Sequence, residues 1–393
     1  MPVFTPSRAA VIANGVYHLR EKSVTAAHEA DLQLGCEDIF TVGDPSRFTG
    51  ASGGLVFWHP ISGFGYVAAG KGQFQGDVLV ACRGTDVVAD WLTDGNFAMH
   101  SGPTGSSVHA GFQNTFASFV KQLDTALATL TRGRMVSTVH CVGHSLGGAL
   151  ATLAAAHCHQ RGIGRPELYT FGSPRVGGGR FASDLTDRLG SNHIHRVFHF
   201  ADPVPMVPLW PFMHVPYGGA GNVIGGNRTS LISFGAHSME HSYLQAVSGL
   251  GWNNLSATTN NRTAGQMAEA WLKDVANGRE AIVPMGAFAF DMLGRALRWL
   301  VDQSLDLFVA VAGPVALGAL TLLDELAIML ERAAQLTEKM SMYVTTLVGA
   351  ILRFAGLAAQ KGLALTRAFI RWALQLLFTP IRLMAKAASM RPF

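Results

Sequence analysis

The stretch from Val136 to Ala151, VSTVHCVGHSLGGALA, constrains the fold more than any other part of the chain. A β-branched apolar run passes through Gly143-His144-Ser145-Leu146-Gly147 into an Ala- and Leu-rich run of helical character. Strand, G-x-S-x-G, helix is an arrangement that holds a serine on a sharp corner, where a Cβ on either flanking glycine would collide with the neighbouring backbone. The helix beyond the corner points its first N–H groups and the positive end of its dipole at the serine, which favours an anion formed there. Ser145 is therefore the candidate nucleophile and the Leu146 N–H a candidate oxyanion donor. His144, at the x position, reads as structural.

Similar signals flank this unit. Apolar spacing from Ser7 to Leu19 predicts a packed first helix with Ser7 as N-cap. Gly43 to Gly54 reads as a turn-rich loop, and Leu55–Trp58 with Phe64–Ala68 as a hairpin turning at His59–Gly63. Asp77–Cys82 is a continuous apolar run of the kind buried on both faces of a sheet, and a long helical pattern runs from Val108 to Leu130. Glu167–Phe171 and Ile194–Phe200 are further strands, with a short helix at Phe181–Leu189 between them. Strands and helices in this alternation predict an α/β fold with a mainly parallel central sheet.

A serine nucleophile needs an imidazole base, and the base an acid to fix its tautomer. Asp202 follows the carboxyl end of a strand, where such loops converge, and is the candidate acid; Asp184 and Asp187 belong to a helix. For the base, Gly235–Leu244 offers two histidines. Met239, Tyr243 and Val247 recur every four residues, so a helix starting near Ser238 leaves His237 on the preceding loop, whereas a helix capped by Ser242 makes His241 the loop residue. Thr85, after Arg83-Gly84, can supply the second oxyanion donor.

These stretches resemble the class 3 lipase family of α/β-hydrolases: Arg83-Gly84-Thr85, Asp90-Trp91-Leu92-Thr93-Asp94, Val108–Phe112, Gly143–Ala151, Phe171–Gly177 and Asp202-Pro203-Val204-Pro205. The resemblance covers about residues 7 to 250. It implies Ser145 as nucleophile, Asp202 as acid, Thr85 and Leu146 as oxyanion hole, a Ser-His-Asp mechanism through an acyl-enzyme without cofactor, and a phospholipid or acylglycerol substrate. The family's histidine is often followed by a tyrosine five positions on. Here Tyr243 stands six from His237 and two from His241, so His237 is the preferred base and His241 stays open as the alternative. Residues 86–107 hold the place of the family's mobile lid.

The composition of the 393 residues narrows the remainder. Charged residues make up 14% and hydrophobic ones 49%, with a formal charge of +4, and no basic, aromatic-interleaved stripe precedes residue 280, which excludes a nucleic-acid binder. Cys36, Cys82, Cys141 and Cys158 show no metal spacing and read as buried free thiols. His193, His195 and His199 alternate along a strand without a carboxylate in a recognised zinc spacing, so a partly exposed sheet face is preferred to a metal site. The N-terminal residues carry no cleavable signal pattern, so export would take a signal-independent route.

The expected organisation is a hydrolase domain over 1–251, a linker over 252–264 with its cluster of asparagines, and an all-α apolar and basic region over 265–393. After Glu338 there is no acidic residue, while Lys339, Arg353, Lys361, Arg367, Arg371, Arg382, Lys386 and Arg391 are spread among Leu, Ile, Phe and Trp. Helices of this composition lie on anionic membranes, which is the expectation for 282–393; the alternative is a bundle that packs on itself or on a cognate partner protein. The layout is similar to that of bacterial phospholipase effectors. The readings that compete with an interfacial lipid esterase are a membrane-disrupting helical protein and a soluble, partner-bound esterase.

Overall fold

The computed structural model describes residues 2–20, 34–42, 47–52, 59–84, 99–258, 264–309, 322–358 and 364–390. The chain divides into two units. The first comprises Met1–Gly225, Ser233–Asn260 and Met384–Phe393, and the second Gly226–Ile232 and Asn261–Leu383.

The first unit is built on one sheet. Its described strands are β1 (Phe40–Thr41), β2 (Arg47–Ser52), β3 (His59–Gly70), β4 (Val78–Cys82) and β7 (Thr138–His144), then β8 (Arg165–Phe171), β10 (Ile194–His199), β12 (Gly221–Ile224) and β13 (Ser256–Thr258). The order is β1-β3-β4-β7-β8-β10-β12-β13, with β2 beside β3. β4, β7, β8, β10 and β12 run parallel, and antiparallel strands close both sides. The intervening strands β5 (Met99–Ser101), β6 (Ser107–His109), β9 (Gly177–Gly178) and β11 (Phe212–Met213) form a small antiparallel sheet of their own. This is an α/β-hydrolase architecture with a mainly parallel centre.

Helices cover both faces because β4 and β7 are buried at every position. On one face α1 (Pro6–Gly15) lays Ala9, Ala10, Ile12 and Ala13 against Leu79, Ala81, Val142, Tyr169 and Phe171. α2 (Ala110–Thr131) and α3 (Leu146–Gln160) follow β6 and β7, and α4 (Gly179–Leu189) follows β9. Nearly every residue of α3 is buried, which its run of Ala and Gly permits by letting helix and sheet approach closely. The four cysteines are free and buried. Burial raises the Cys36 thiol to about 11 and the Cys158 thiol to about 12, so both stay protonated.

Several local expectations are corrected. α1 is capped by Thr5, whose hydroxyl accepts from Arg8 N–H at 3.2 Å, not by Ser7; Pro6 takes the first helical turn, where no N–H is needed. The expected turn at His59–Gly63 lies inside the long β3, which pairs with β2 in the stretch read as a loop; Leu55–Trp58 lie outside the described residues. Pro60, Ser62 and Gly63 suggest a turn by composition, but they continue the strand, and the Cβ-free Gly65 makes room for Phe48 of β2. Trp252–Thr258, read as linker, belongs to the first unit: β13 pairs with β12, and Trp252 Nε1–H donates to the Phe4 carbonyl at 2.8 Å.

Two of the three alternating histidines, His193 and His195, meet a carboxylate. His193 sits in a turn before the strand, and His193 Nδ1 and His195 Nε2 meet the two carboxylate oxygens of buried Glu167 at 2.5 and 3.2 Å. Burial pushes the Glu167 carboxyl up, but the bonds from His195 and His193 outweigh it and leave it below the ordinary range. Among the described residues no group of three or more His, Cys, Asp or Glu is arranged to hold a metal ion.

The second unit is helical: α5 (Ala264–Ala276), α6 (Ala287–Val309), α7 (Leu322–Leu336), α8 (Glu338–Phe354) and α9 (Arg367–Ser389), the last crossing the division between the units. α8 starts at Thr337, whose hydroxyl accepts from Met340 N–H. Glu269 binds Lys339, Lys273 and the Tyr343 hydroxyl, tying α5 to α8. Among the described residues no helix is long and apolar enough to cross a membrane.

Candidate active site

Ser145 stands at the corner between β7 and α3 with φ 58° and ψ −131°, a left-handed backbone conformation that costs a non-glycine residue of order 1–3 kcal/mol. The neighbouring glycines make the corner possible. A Cβ on Gly143 would overlap the Gly147 carbonyl, and one on Gly147 the Cys82 carbonyl at the end of β4. The strain is sustained because strand and helix are held independently, β7 by ladders on both sides and α3 by burial along its length. Leu146 opens α3 directly after Ser145 in sequence, so its N–H is one of the first-turn donors that have no partner within the helix.

His237 lies in the turn Phe234–His237, and Asp202 follows β10. His237 Nε2 is 2.9 Å from Ser145 Oγ, and His237 Nδ1 is 2.8 Å from Asp202 Oδ2. The three side chains are buried. Asp202 Oδ1 accepts from Val204 N–H at 2.8 Å, so the turn that the prolines impose after β10 also orients the carboxylate. Hydrogen bonded on both oxygens, the carboxylate favours the His237 tautomer with the proton on Nδ1, leaving Nε2 free to accept from the serine hydroxyl.

His241 is exposed on the far side of the segment boundary. Ser238 caps the following helix, its hydroxyl accepting from His241 N–H at 3.0 Å, which leaves His237 before the helix and His241 within it. Thr85 lies outside the described residues, as do 86–98 of the lid position. Residues 99–109 form the hairpin of β5 and β6.

The structure adds residues that sequence reasoning used only as spacing marks or passed over. Met239–Leu244 forms a π-helical turn, in which Tyr243 N–H bonds to the Ser238 carbonyl five residues back. A π-turn takes up one extra residue, and so absorbs the spacing of Tyr243 that departs from the family pattern. The Tyr243 hydroxyl donates to Asp202 Oδ2 at 2.6 Å and accepts from His199 N–H at 3.0 Å. Behind His237, His144 Nε2 meets the His237 carbonyl oxygen at 2.9 Å, and His144 Nδ1 meets the Tyr17 hydroxyl at 2.8 Å. Burial, and then the proximity of His237, hold His144 well below the usual histidine range, so it is neutral: Nε2–H donates to the carbonyl and Nδ1 accepts from Tyr17. No periodicity signals Tyr17, whose partner is 127 residues away.

A buried Ser-His-Asp array on a strand-to-helix corner, within a mainly parallel sheet, defines the α/β-hydrolase class. Residues 79–212 match the model of the family Lipase (class 3). Secreted mono- and diacylglycerol lipase 1 of Fusarium solani is 35% identical over 145 residues, 36% of this chain and 42% of that protein. A lipase of Rhizomucor miehei is 32% identical over 152 residues, 37% of this chain and 41% of that protein. The chain thus spans less than half the length of these curated relatives. A solved structure described as "An unusual buried polar cluster in a family of fungal lipases" aligns with a TM-score of 0.46 and 21% identity, over 62% of this chain and 96% of that one.

Proposed function

We propose that the chain hydrolyses carboxylic esters of lipids through an acyl-enzyme on Ser145. As Ser145 Oγ attacks the ester carbonyl, His237 Nε2 takes the hydroxyl proton, and Asp202 stabilises the imidazolium that forms. The carbonyl electrons move to oxygen, and the Leu146 N–H, with Thr85 as the second expected donor, receives the oxyanion at the positive end of α3. Collapse of this intermediate expels the alcohol, which takes the proton from His237. A water molecule, deprotonated by the same nitrogen, then releases the fatty acid and restores Ser145.

The reading is carried by one observation, the unbroken path from Ser145 Oγ through both ring nitrogens of His237 to Asp202, with steps of 2.9 and 2.8 Å. The substrate class is an acylglycerol or phospholipid, the latter cleaved as by a phospholipase A1, and the reaction takes place at a membrane surface contacted by the helical region. Relatives named as mono- and diacylglycerol lipases support the acyl-ester class. The basic, acid-free sequence after Glu338 supports an anionic surface.

The test is fatty-acid release from mixed acylglycerol and phospholipid vesicles, with products identified by mass spectrometry, for the wild type and Ser145→Ala. Release should be lost in the variant, and the product masses identify the substrate and the acyl position. Undiminished release by Ser145→Ala overturns the mechanism. Vesicle leakage that survives when release is lost would instead support a membrane-disrupting role for the helices.

A further inference from the structure

We propose that a clip inside the helical unit, in which Ser230–Ile232 is held against Met285–Ala287, positions the catalytic base His237. The assignment rests on the reading of Ser145, His237 and Asp202 as an esterase triad, and adds positioning residues to it.

The path of the chain brings the two together. β12 ends at Ile224, beside His199 of β10. From Gly226 to Ile232 the chain belongs to the second unit, and it re-enters the first at Ser233, four residues before His237. Ser233 N–H then donates to the carbonyl of Ala201, the residue before Asp202, at 3.0 Å. Ser233, Phe234 and Gly235 are exposed, so packing contributes little to the direction in which this turn is set. Its two ends set it. Downstream, His144 holds the His237 carbonyl and Ser238 caps the next turn. Upstream lies the clip.

Leu231 and Gly286 face each other as an antiparallel bridge. On either side of them the backbone closes: Ile232 N–H donates to the Met285 carbonyl at 3.1 Å, and Ala287 N–H to the Ser230 carbonyl at 2.9 Å. The Arg228 guanidinium meets both carboxylate oxygens of Glu280, at 2.9 and 3.1 Å, and lies 3.7 Å over the Phe288 ring. Met285 has φ 53°. Among the described residues only two other non-glycines have a positive φ, Arg132, which ends α2, and Ser145. A residue keeps such a conformation only where its surroundings over-determine it. Met285 is held in two directions, its N–H by the Phe354 carbonyl at the end of α8, at 3.0 Å, and its carbonyl by Ile232. Backbone strain is thus kept at the nucleophile and at the residue that ties the approach to the base turn to α8. All these bonds lie within the second unit, and the Ile232–Ser233 peptide bond carries their hold into the first. Catalysis needs His237 Nε2 within hydrogen-bond reach of Ser145 Oγ, and a displacement of about 1 Å costs up to about 10²-fold in rate. The helical unit is therefore a working part of the esterase.

The experiment measures kcat, KM and thermal midpoint of the full chain on a short-chain soluble ester. Ala287→Pro removes the donor to the Ser230 carbonyl at the first position of α6, which suits proline. Two glycines inserted between Ile232 and Ser233 leave the clip whole and slacken its hold on the base. Each change should lower kcat about tenfold with KM within about twofold, and the two together should lose no more than the insertion alone, because a slack link transmits nothing. If Ala287→Pro does not fold, Arg228→Ala, on an exposed side chain, completes the same cycle: it should lower kcat about threefold with the native link and leave it unchanged with the lengthened one. A clip variant that lowers the thermal midpoint at wild-type kcat overturns the proposal, since the clip then only packs. Losses that multiply in the combined variant overturn it too, because the two changes then act by separate routes. A wild type whose turnover is lost in Ser145→Ala but unmoved by the clip variants removes the clip alone, whereas a wild type that hydrolyses no ester overturns the catalytic reading beneath it.

Discussion

Tyr243 donates its phenolic proton to Asp202 Oδ2 at 2.6 Å, the same carboxylate oxygen that faces His237 Nδ1 at 2.8 Å. The phenol is buried, and burial first, then the neighbouring carboxylate, keeps it protonated far above its ordinary range, so it acts only as a donor toward Asp202. Two donors on one oxygen restrict the carboxylate's rotation and draw off part of its charge. Tyr243→Phe keeps the ring and removes one donor. Its kcat should fall about tenfold with little change in KM, and the acid limb of its pH–rate profile should move upward, because the less satisfied carboxylate holds the imidazolium proton more strongly. An unshifted limb with unchanged kcat would show that the phenol only packs.

The two histidines of the Gly235–Leu244 segment separate cleanly. His237→Ala should lower kcat/KM by roughly 10³-fold or more, whereas His241→Ala, which removes an exposed side chain on the π-turn, should stay within about twofold. Steady-state rates on a soluble ester decide between them, and a larger loss at His241 would transfer the role of base.

Gly172 has φ +54°, and a Cβ there would lie 2.9 Å from Asp202 Oδ2, 3.0 Å from the Tyr243 hydroxyl and 3.1 Å from His237 Nδ1. Gly172→Ala therefore adds backbone strain and pushes on the shared hydrogen bonds at once. Both the thermal midpoint and kcat should fall, the midpoint by several degrees and the rate about tenfold or more. A variant with wild-type rate and midpoint would mean that the site yields far more readily than its packing implies.

His109 caps α2, its Nδ1 accepting from Gly111 N–H at 3.2 Å, and burial followed by the charge of His100 lowers its pKa to about 4. The folded form holds the ring neutral, while the unfolded chain protonates it near the ordinary 6.5. Between these values the unfolded state binds more protons, so stability is fully present above about pH 6.5 and is lost as the pH falls toward 4. His144 and His214, also lowered by burial, act in the same direction. His109→Asn retains a capping acceptor and removes one titration, so its urea midpoint should fall less than the wild type's on going from about pH 7 to about pH 5. Parallel midpoints would remove His109 from the acid response.

The legible parts of the sequence are those in which a local pattern has one physical meaning. The run into Gly143-His144-Ser145-Leu146-Gly147 reads as a strand turning into a helix, and Asp77–Cys82 has the continuous apolarity of a strand covered on both faces. Asp202 was singled out by its position after a strand, and its Oδ2 lies 2.8 Å from His237 Nδ1. The choice between His237 and His241 depended on a helix start that the extra residue of the π-turn obscured. β2 and the first part of β3 were misread because Gly-, Pro- and Ser-containing edge strands such as Arg47–Ser52 and His59–Gly63 have the same composition as turns. Tyr17, Tyr243 and the place of Trp252 rest on contacts between residues tens to hundreds of positions apart, which no local pattern records.

The backbone of Phe4 is held at both of its polar groups from afar: its N–H by the Tyr169 hydroxyl at 3.1 Å, and its carbonyl by the Trp252 indole at 2.8 Å. During synthesis the backbone of Phe4 therefore exchanges water for its native partners only once Trp252 has left the ribosome. A nascent chain arrested before Trp252 would present the apolar side of α1 without its final clasp, and is the species in which protection by a chaperone would count most.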